Sequence, residues 1–243
     1  MITIKILRQI LGAHSKTAVE ALYLELGCVP FRYIIQARRI MFLHYLLNLK
    51  ENEMLKLFFE AQVKFPAKGD WIHTVLKDIE DLEINMDLTE IQHTSKEKMK
   101  NIVKKAYKEK SFYDLINVKK SHSKIRVLNY TSLEIQEYLK INMKNSTAKL
   151  IFKLRTKMLD VKDNFRGTDN NPQCNLCEIG HLDSQENLLI CPKLSENLEN
   201  LGSDSDCKYS DLFSSDAERM KVIGERFEKL VKIRQRLTSA LLD

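Results

Sequence analysis

Three cysteines and a histidine lie close together in the last third of the sequence, and these residue types bind zinc. Cys174 and Cys177 form a Cys-x2-Cys pair, which presents two thiolates from one tight turn. A helix that follows such a turn after a short loop can supply the remaining ligands of a tetrahedral site. Cys191 is suitably placed, and the pattern therefore predicts a zinc site here.

The fourth ligand has two candidates. Asp183 and Glu186 are spaced as a helix N-cap and its capping-box partner, which predicts a helix over residues 184–191. On that helix Asn187 and Cys191 are i, i+4 neighbours and face the same way. A neutral amide is a poor zinc ligand, however, whereas the imidazole of the nearby histidine is a good one. The predicted ligands are Cys174, Cys177, His181 and Cys191. A metal-free turn packed by small buried thiols remains the alternative.

The elements that position these ligands are expected to be helical. The 243 residues include only 7 Gly and 4 Pro, and alternating runs rich in Val or Thr are scarce. This composition favours an all-α fold, an irregular helical bundle with a small zinc-knuckle-like insertion and a C-terminal amphipathic helix. We expect two domains, a helical region over residues 1–163 and a segment over 164–243 with the knuckle, an acidic loop and the last helix.

Cysteine usage and hydropathy indicate the compartment. Three of the five cysteines belong to the metal-like cluster, so the cysteines do not resemble a disulfide framework, and no signal peptide precedes them. No run approaches the roughly 18 apolar residues that a membrane span needs. We therefore expect an intracellular protein of the nucleus or cytoplasm, with no membrane partner.

The formal charge of +6 combines two opposite segments. Residues 94–126 hold eleven Lys/Arg and three Asp/Glu, whereas residues 160–220 hold thirteen Asp/Glu and five Lys/Arg. Helical spacing places four lysines of the basic segment on one face, and a helix expected over 147–159 carries further basic residues. Such faces indicate sequence-independent contacts to the phosphates of RNA or DNA, with a merely solvated face as the alternative. The predicted nucleic-acid-binding residues are Lys96, Lys100, Lys104, Lys108, Lys149, Lys153, Arg155 and Lys157.

Two blocks of the sequence resemble one protein family. Cys-x-Leu-Cys followed by Ser-Gln-Glu-x-Leu-Leu-x-Cys-Pro-x-Leu, over residues 174–194, resembles the Cys-Cys-His-Cys knuckle near the C-terminus of reverse transcriptases of non-LTR or related retrotransposons. There the helix reads Gln-Glu-His, and Asn187 stands here in place of that His. Residues 20–43 resemble the stretch that lies in the same family between the polymerase core and the knuckle. The resemblance implies a region that helps a polymerase grip template RNA or target DNA.

Polymerase chemistry is not expected. Polymerases of the resembled family need adjacent aspartates that hold two magnesium ions, and this sequence contains no Asp-Asp pair. It also lacks a Gly-rich phosphate loop, a Gly-x-Ser-x-Gly elbow and a His-Glu-x-x-His helix. We therefore expect no enzymatic activity. The resemblance, together with the missing catalytic residues, implies a non-catalytic C-terminal fragment of a retrotransposon-type reverse transcriptase, functional or decayed, that binds nucleic acid through its basic helices and knuckle.

A second function stays open, that of a helical interaction or scaffold protein without nucleic-acid binding. Ser215 and Glu218 predict the start of a last helix with an apolar stripe. The stripe consists of Met220, Ile223, Phe227, Leu230 and Leu237. It is expected to pack on the chain's own core or on a helix of another protein.

Overall fold

The computed structural model describes residues 2–65, 67, 69–165, 171–177, 180–199 and 207–240. Over these ranges the chain is all-α, which confirms the prediction: it forms α-helices, short 3-10 helices and two isolated antiparallel bridges, and no strand. The α-helices are α1 (Ile2–Leu11), α2 (Val19–Leu26), α3 (Phe31–Leu47), α4 (Met54–Lys64), α5 (Trp71–Asp81), α6 (Leu88–His93), α7 (Lys96–Ser121), α8 (Asn145–Arg155), α9 (Asn187–Ile190), α10 (Pro192–Glu199) and α11 (Ala217–Ser239). The 3-10 helices are Glu137–Leu139, Lys162–Phe165 and Tyr209–Phe213. No helix in the described ranges is long and apolar enough to cross a membrane.

The chain divides into two compact units. Unit 1 joins residues 1–28 to residues 118–243, and unit 2 is the continuous stretch 29–117. The domain boundary expected at 163/164 falls inside unit 1, because α8 packs against α11 and the two helices share one core. Sequence periodicity locates helices but does not reveal which distant helices share a core.

Unit 2 holds α3 to α6 and most of α7 around an apolar core. α3 packs against α4, α5 and α6 and completely buries Ile40 and Leu43. An ion pair joins α3 to α5, in which Arg39 Nε and Nη2 donate to the two Asp78 carboxylate oxygens at 2.5 and 2.8 Å. The Arg39 guanidinium therefore links α3 to α5 within unit 2.

Unit 1 is organised around the contact between α8 and α11. Gly224 allows the close approach, because a Cβ atom at this position would lie 2.7 Å from Ile151 Cδ1. Met220, Ile223, Phe227 and Leu230 are buried and Leu237 is partly buried, all in the core of unit 1. The chain's own core thus covers the apolar stripe of α11. The three clustered cysteines belong to the same core, so the candidate metal site lies beside the central helix pair.

Candidate metal centre and basic surfaces

A short hairpin positions the first two cysteines of the cluster. Cys174 N donates to the His181 carbonyl oxygen at 2.8 Å, which holds the returning chain beside the Cys-x2-Cys turn. Gly180 has a φ of 75°, a left-handed conformation that glycine adopts without the steric cost of a Cβ atom. Cys174 and Cys177 are both buried at this hairpin.

The third cysteine follows α9, which is a single turn and shorter than the helix predicted over 184–191. At its start Ser184 Oγ accepts a hydrogen bond from Asn187 N at 3.1 Å. At its end Cys191 N donates to the Asn187 carbonyl at 2.8 Å, so Asn187 and Cys191 are successive residues on one helical face. The sulfurs of Cys174, Cys177 and Cys191 all lie within 4.8 Å of one another, and all three residues are buried.

Buried polar side chains fix the start of α9 to the core of unit 1. Gln185 Nε2 donates to the Leu154 carbonyl at 2.8 Å and to Tyr209 Oη at 2.7 Å. Its Oε1 accepts from Asn164 Nδ2 at 2.9 Å. Sequence reasoning did not identify this anchor, although Gln185 belongs to the Ser-Gln-Glu block that carries the resemblance.

Asn187, not His181, lies beside the three sulfurs. Asn187 is buried, and its side-chain Nδ2 and Oδ1 lie 3.7 and 3.9 Å from Cys177 Sγ. His181 is exposed and lies outside the group of potential metal ligands found among the described residues. The structure therefore brings together three of the four predicted ligands. Its hairpin places the His181 carbonyl against Cys174 N and leaves the imidazole outside the cluster.

Buried thiols of this kind can bind a metal only as thiolates. Burial and a hydrogen bond to Cys191, whose Sγ lies 3.2 Å away, raise the pKa of Cys177 to about 12. The protonated thiols pack as small apolar groups, and a bound cation would displace their protons. Three soft sulfur donors suit zinc or another thiophilic ion. The geometry thus fits a metal with three cysteine ligands, and it also accommodates the metal-free alternative.

The four lysines predicted along α7 form an exposed row in unit 2. Lys96, Lys100, Lys104 and Lys108 are all exposed, and within the described part of the chain none of them is within 4.0 Å of a carboxylate oxygen. Other lysines of the same helix do have partners. Lys105 lies 3.9 Å from Glu109. We call Lys96, Lys100, Lys104 and Lys108 the α7 row.

The basic residues predicted on the helix over 147–159 have different environments, and Lys157 lies beyond the end of α8 at Arg155. Lys149 and Lys153 are half-buried at the edge of a hollow of about 930 Å³, and Lys157 Nζ lies 3.9 Å from Glu186 Oε1. Arg155 is buried and pairs with buried Glu25, its Nε lying 3.0 Å from Glu25 Oε1. The prediction of Arg155 as a nucleic-acid contact is therefore wrong, because its guanidinium faces the interior of unit 1.

Comparisons with protein-family models, curated proteins and solved structures gave no match to this chain. The cysteine cluster and the basic surfaces are therefore the features of the chain that bear on its function.

Proposed function

We propose that the chain is a non-catalytic nucleic-acid-binding module, related to the C-terminal region of retrotransposon-type reverse transcriptases, that binds RNA or DNA without sequence preference. The α7 row is the observation that carries this proposal. Residues four apart on a helix are separated by about 6 Å along its axis, so the row places positive charges at short, regular intervals.

Electrostatics favours a polyanionic partner for this row. Two unit charges about 6 Å apart in water repel each other by roughly 0.7 kcal/mol before salt screening. Carboxylates partner other lysines of α7, at Glu109 and Glu83, but not those of the α7 row within the described residues. Phosphates along a nucleic-acid strand would offset this repulsion and release condensed counterions, which makes binding favourable at low salt.

The cysteine cluster supports the proposed kinship. Asn187 and Cys191 occupy the two helix positions at which the resembled knuckle carries ligands, and Cys174 and Cys177 occupy the turn. Zinc held by Cys174, Cys177 and Cys191 would contribute folding energy to this part of unit 1. Because all three thiols are buried in a packed core, the ion would have a structural role.

Salt-dependent binding of unstructured oligonucleotides tests the proposal. Fluorescence anisotropy at about 50 mM salt and above should show log K falling with log salt, by about 0.7 per phosphate neutralised on a single strand. Lys100→Ala/Lys104→Ala should lower that slope by about 1.4, and alanine at all four positions of the α7 row should lower it further.

The matched control is Lys98→Ala/Lys105→Ala, which removes the same charge from exposed positions of the same helix outside the α7 row. If both double variants change the slope equally, only net charge matters and the α7 row is not the contact. Absence of binding by the wild type at about 50 mM salt would reject nucleic-acid binding and favour the scaffold function.

A further inference from the structure

Three adjoining hollows in unit 1 meet at one aromatic residue. They have volumes of about 480, 930 and 560 Å³, and Phe165 lines all three. His14 lines two of them, and Lys16 also lines two. We call the residues that line these hollows the Phe165 surface. It lies outside the cysteine cluster and outside the α7 row.

The Phe165 surface is strongly basic. Eight Lys and Arg residues line the three hollows against four Asp and Glu residues. Lys16, Lys124 and Lys157 line one hollow together, and Asp163 is the single acidic residue in its lining. Outside that lining, Lys157 Nζ also lies 3.9 Å from Glu186 Oε1. Burial is the main effect that lowers the pKa of Lys124. Repulsion from Lys16 and Lys157 lowers this pKa further, whereas attraction to Asp163 raises it.

Aromatic rings lie among these cations. Lys124 Nζ lies 4.9 Å from the centroid of the Phe165 ring, and the ring of exposed His14 lies 5.5 Å from it at an angle of 59°. Phe165 itself is half-buried and sits at the end of the 3-10 helix Lys162–Phe165. The fold therefore anchors the Phe165 ring, and both rings border two of the hollows.

We propose that the Phe165 surface binds single-stranded nucleic acid, with phosphates on Lys16, Lys124 and Lys157 and a base packed against the rings of Phe165 and His14. Basic grooves interleaved with aromatic side chains bind single strands in this way, because every base has a face that can pack on a ring. A paired base keeps its faces inside the duplex stack, so the ring pair selects unpaired strands. This inference rests on the proposed function and names a second surface for it.

Two substitutions test the phosphate contacts in the full chain. The probes are an oligothymidylate of about ten nucleotides, which spans a typical site, and an abasic strand with the same number of phosphates. Lys16→Gln/Lys157→Gln should lower the salt slope by about 1.4, since each lost phosphate contact removes about 0.7. Lys5→Gln/Lys193→Gln is the control, because it removes equal charge from exposed residues of unit 1 that line none of the hollows.

Two further variants test the base contact. Phe165→Leu keeps an apolar side chain but removes the ring, and it should weaken oligothymidylate binding at least about fivefold while leaving abasic binding unchanged. His14→Ala changes an exposed residue and provides the same test without disturbing the core. Thermal unfolding of each variant checks that unit 1 remains folded.

The outcomes separate this inference from the proposed function. The inference about the Phe165 surface is overturned if the Lys16/Lys157 variant and the Lys5/Lys193 control have the same salt slope while the wild type still binds. It is equally overturned if the abasic strand binds as tightly as oligothymidylate, which would indicate a general anion surface suited to an acidic protein segment. A wild type that binds no strand at about 50 mM salt would reject the proposed function itself.

Discussion

Replacing Arg155 tests whether this residue belongs to the interior or to a nucleic-acid surface. Arg155 is 4% exposed and Glu25 is 0% exposed, and the Arg155 Nε to Glu25 Oε1 distance is 3.0 Å. Arg155 Nη1 also donates to the Leu212 carbonyl at 2.5 Å, and Tyr130 Oη donates to the same Glu25 oxygen at 2.7 Å. The pair therefore joins α2, α8 and the 3-10 helix that contains Leu212.

The expected cost follows from leaving one charge buried without its partner. Breaking a buried ion pair on one side typically destabilises a protein by about 3–5 kcal/mol. Domains unfold with about 5–15 kcal/mol in total, so Arg155→Met should remove a large share of the stability. In Glu25→Gln/Arg155→Met neither charge remains, and the loss should be smaller than in Arg155→Met alone.

Urea unfolding followed by circular dichroism measures these differences. Arg32→Met is the control, because the Arg32–Asp114 pair has side chains that are 67% and 30% exposed and should contribute less than about 1 kcal/mol. Oligonucleotide affinity and its salt slope should stay unchanged in folded Arg155→Met protein. A loss of stability no larger than that of Arg32→Met, or a reduced salt slope, would refute the assignment of Arg155 to the interior.

Three other substitutions have distinct expected results. Asn187→His should tighten zinc binding, because an imidazole would replace a buried amide whose nitrogen is 3.7 Å from Cys177 Sγ, while His181→Ala should leave the zinc content unchanged. Elemental analysis of both proteins decides this, and zinc loss in His181→Ala would contradict it. A hydrogen bond from Thr147, followed by one from Lys232, lowers the pKa of Glu228, so this carboxylate stabilises the fold above the ordinary carboxyl pKa and loses that contribution as pH falls through the lowered value. Glu228→Gln should therefore cost about 1–2 kcal/mol at pH 7 and progressively less as the pH falls below the ordinary carboxyl pKa, as thermal unfolding across this pH range would show; a loss that does not change with pH would reject the charge-based explanation.

Local sequence signals predicted that helices form more accurately than they predicted the residue at which a helix begins. Gly27 ends α2 in a left-handed conformation with a φ of 61°, as glycine at a helix C-terminus predicts. The last helix is capped by Asp216 rather than by Ser215, because Asp216 accepts hydrogen bonds from the N–H groups of Glu218 and Arg219. Neighbouring Ser and Asp residues are both good caps, and only the backbone geometry selects between them.

The functional residues were predicted only in part, because sequence patterns report local structure and not contacts between distant residues. Spacing in the sequence brings Cys174, Cys177 and Cys191 together, since a tight turn and one helical turn are local structures. The burial of Arg155 depends on Glu25, far away in the sequence, and helical periodicity carries no information on such a partner. Sequence patterns likewise did not identify Phe165, because the hollows that it lines form only where residues 12–16, 123–124 and 157–165 meet in unit 1.

The cysteine cluster and the Phe165 surface are connected by hydrogen bonds. Asn175 lies between Cys174 and Cys177, and its Oδ1 accepts from Lys162 Nζ at 2.9 Å. Lys162 N and Asp163 N both donate to Asp183, at 3.0 Å in each case. The cysteine hairpin therefore holds the 3-10 helix whose last residue is Phe165.

A bound metal would stabilise this hairpin and, through it, the position of the Phe165 ring. Removing zinc from metal-loaded protein with a chelator should therefore weaken oligothymidylate binding by the wild type, while abasic-strand binding and the contribution of the α7 row to the salt slope stay the same. The Phe165→Leu variant has already lost the ring, and its affinity should respond little to the chelator. If the chelator weakens binding by Phe165→Leu as much as by the wild type, the metal acts through another part of the chain.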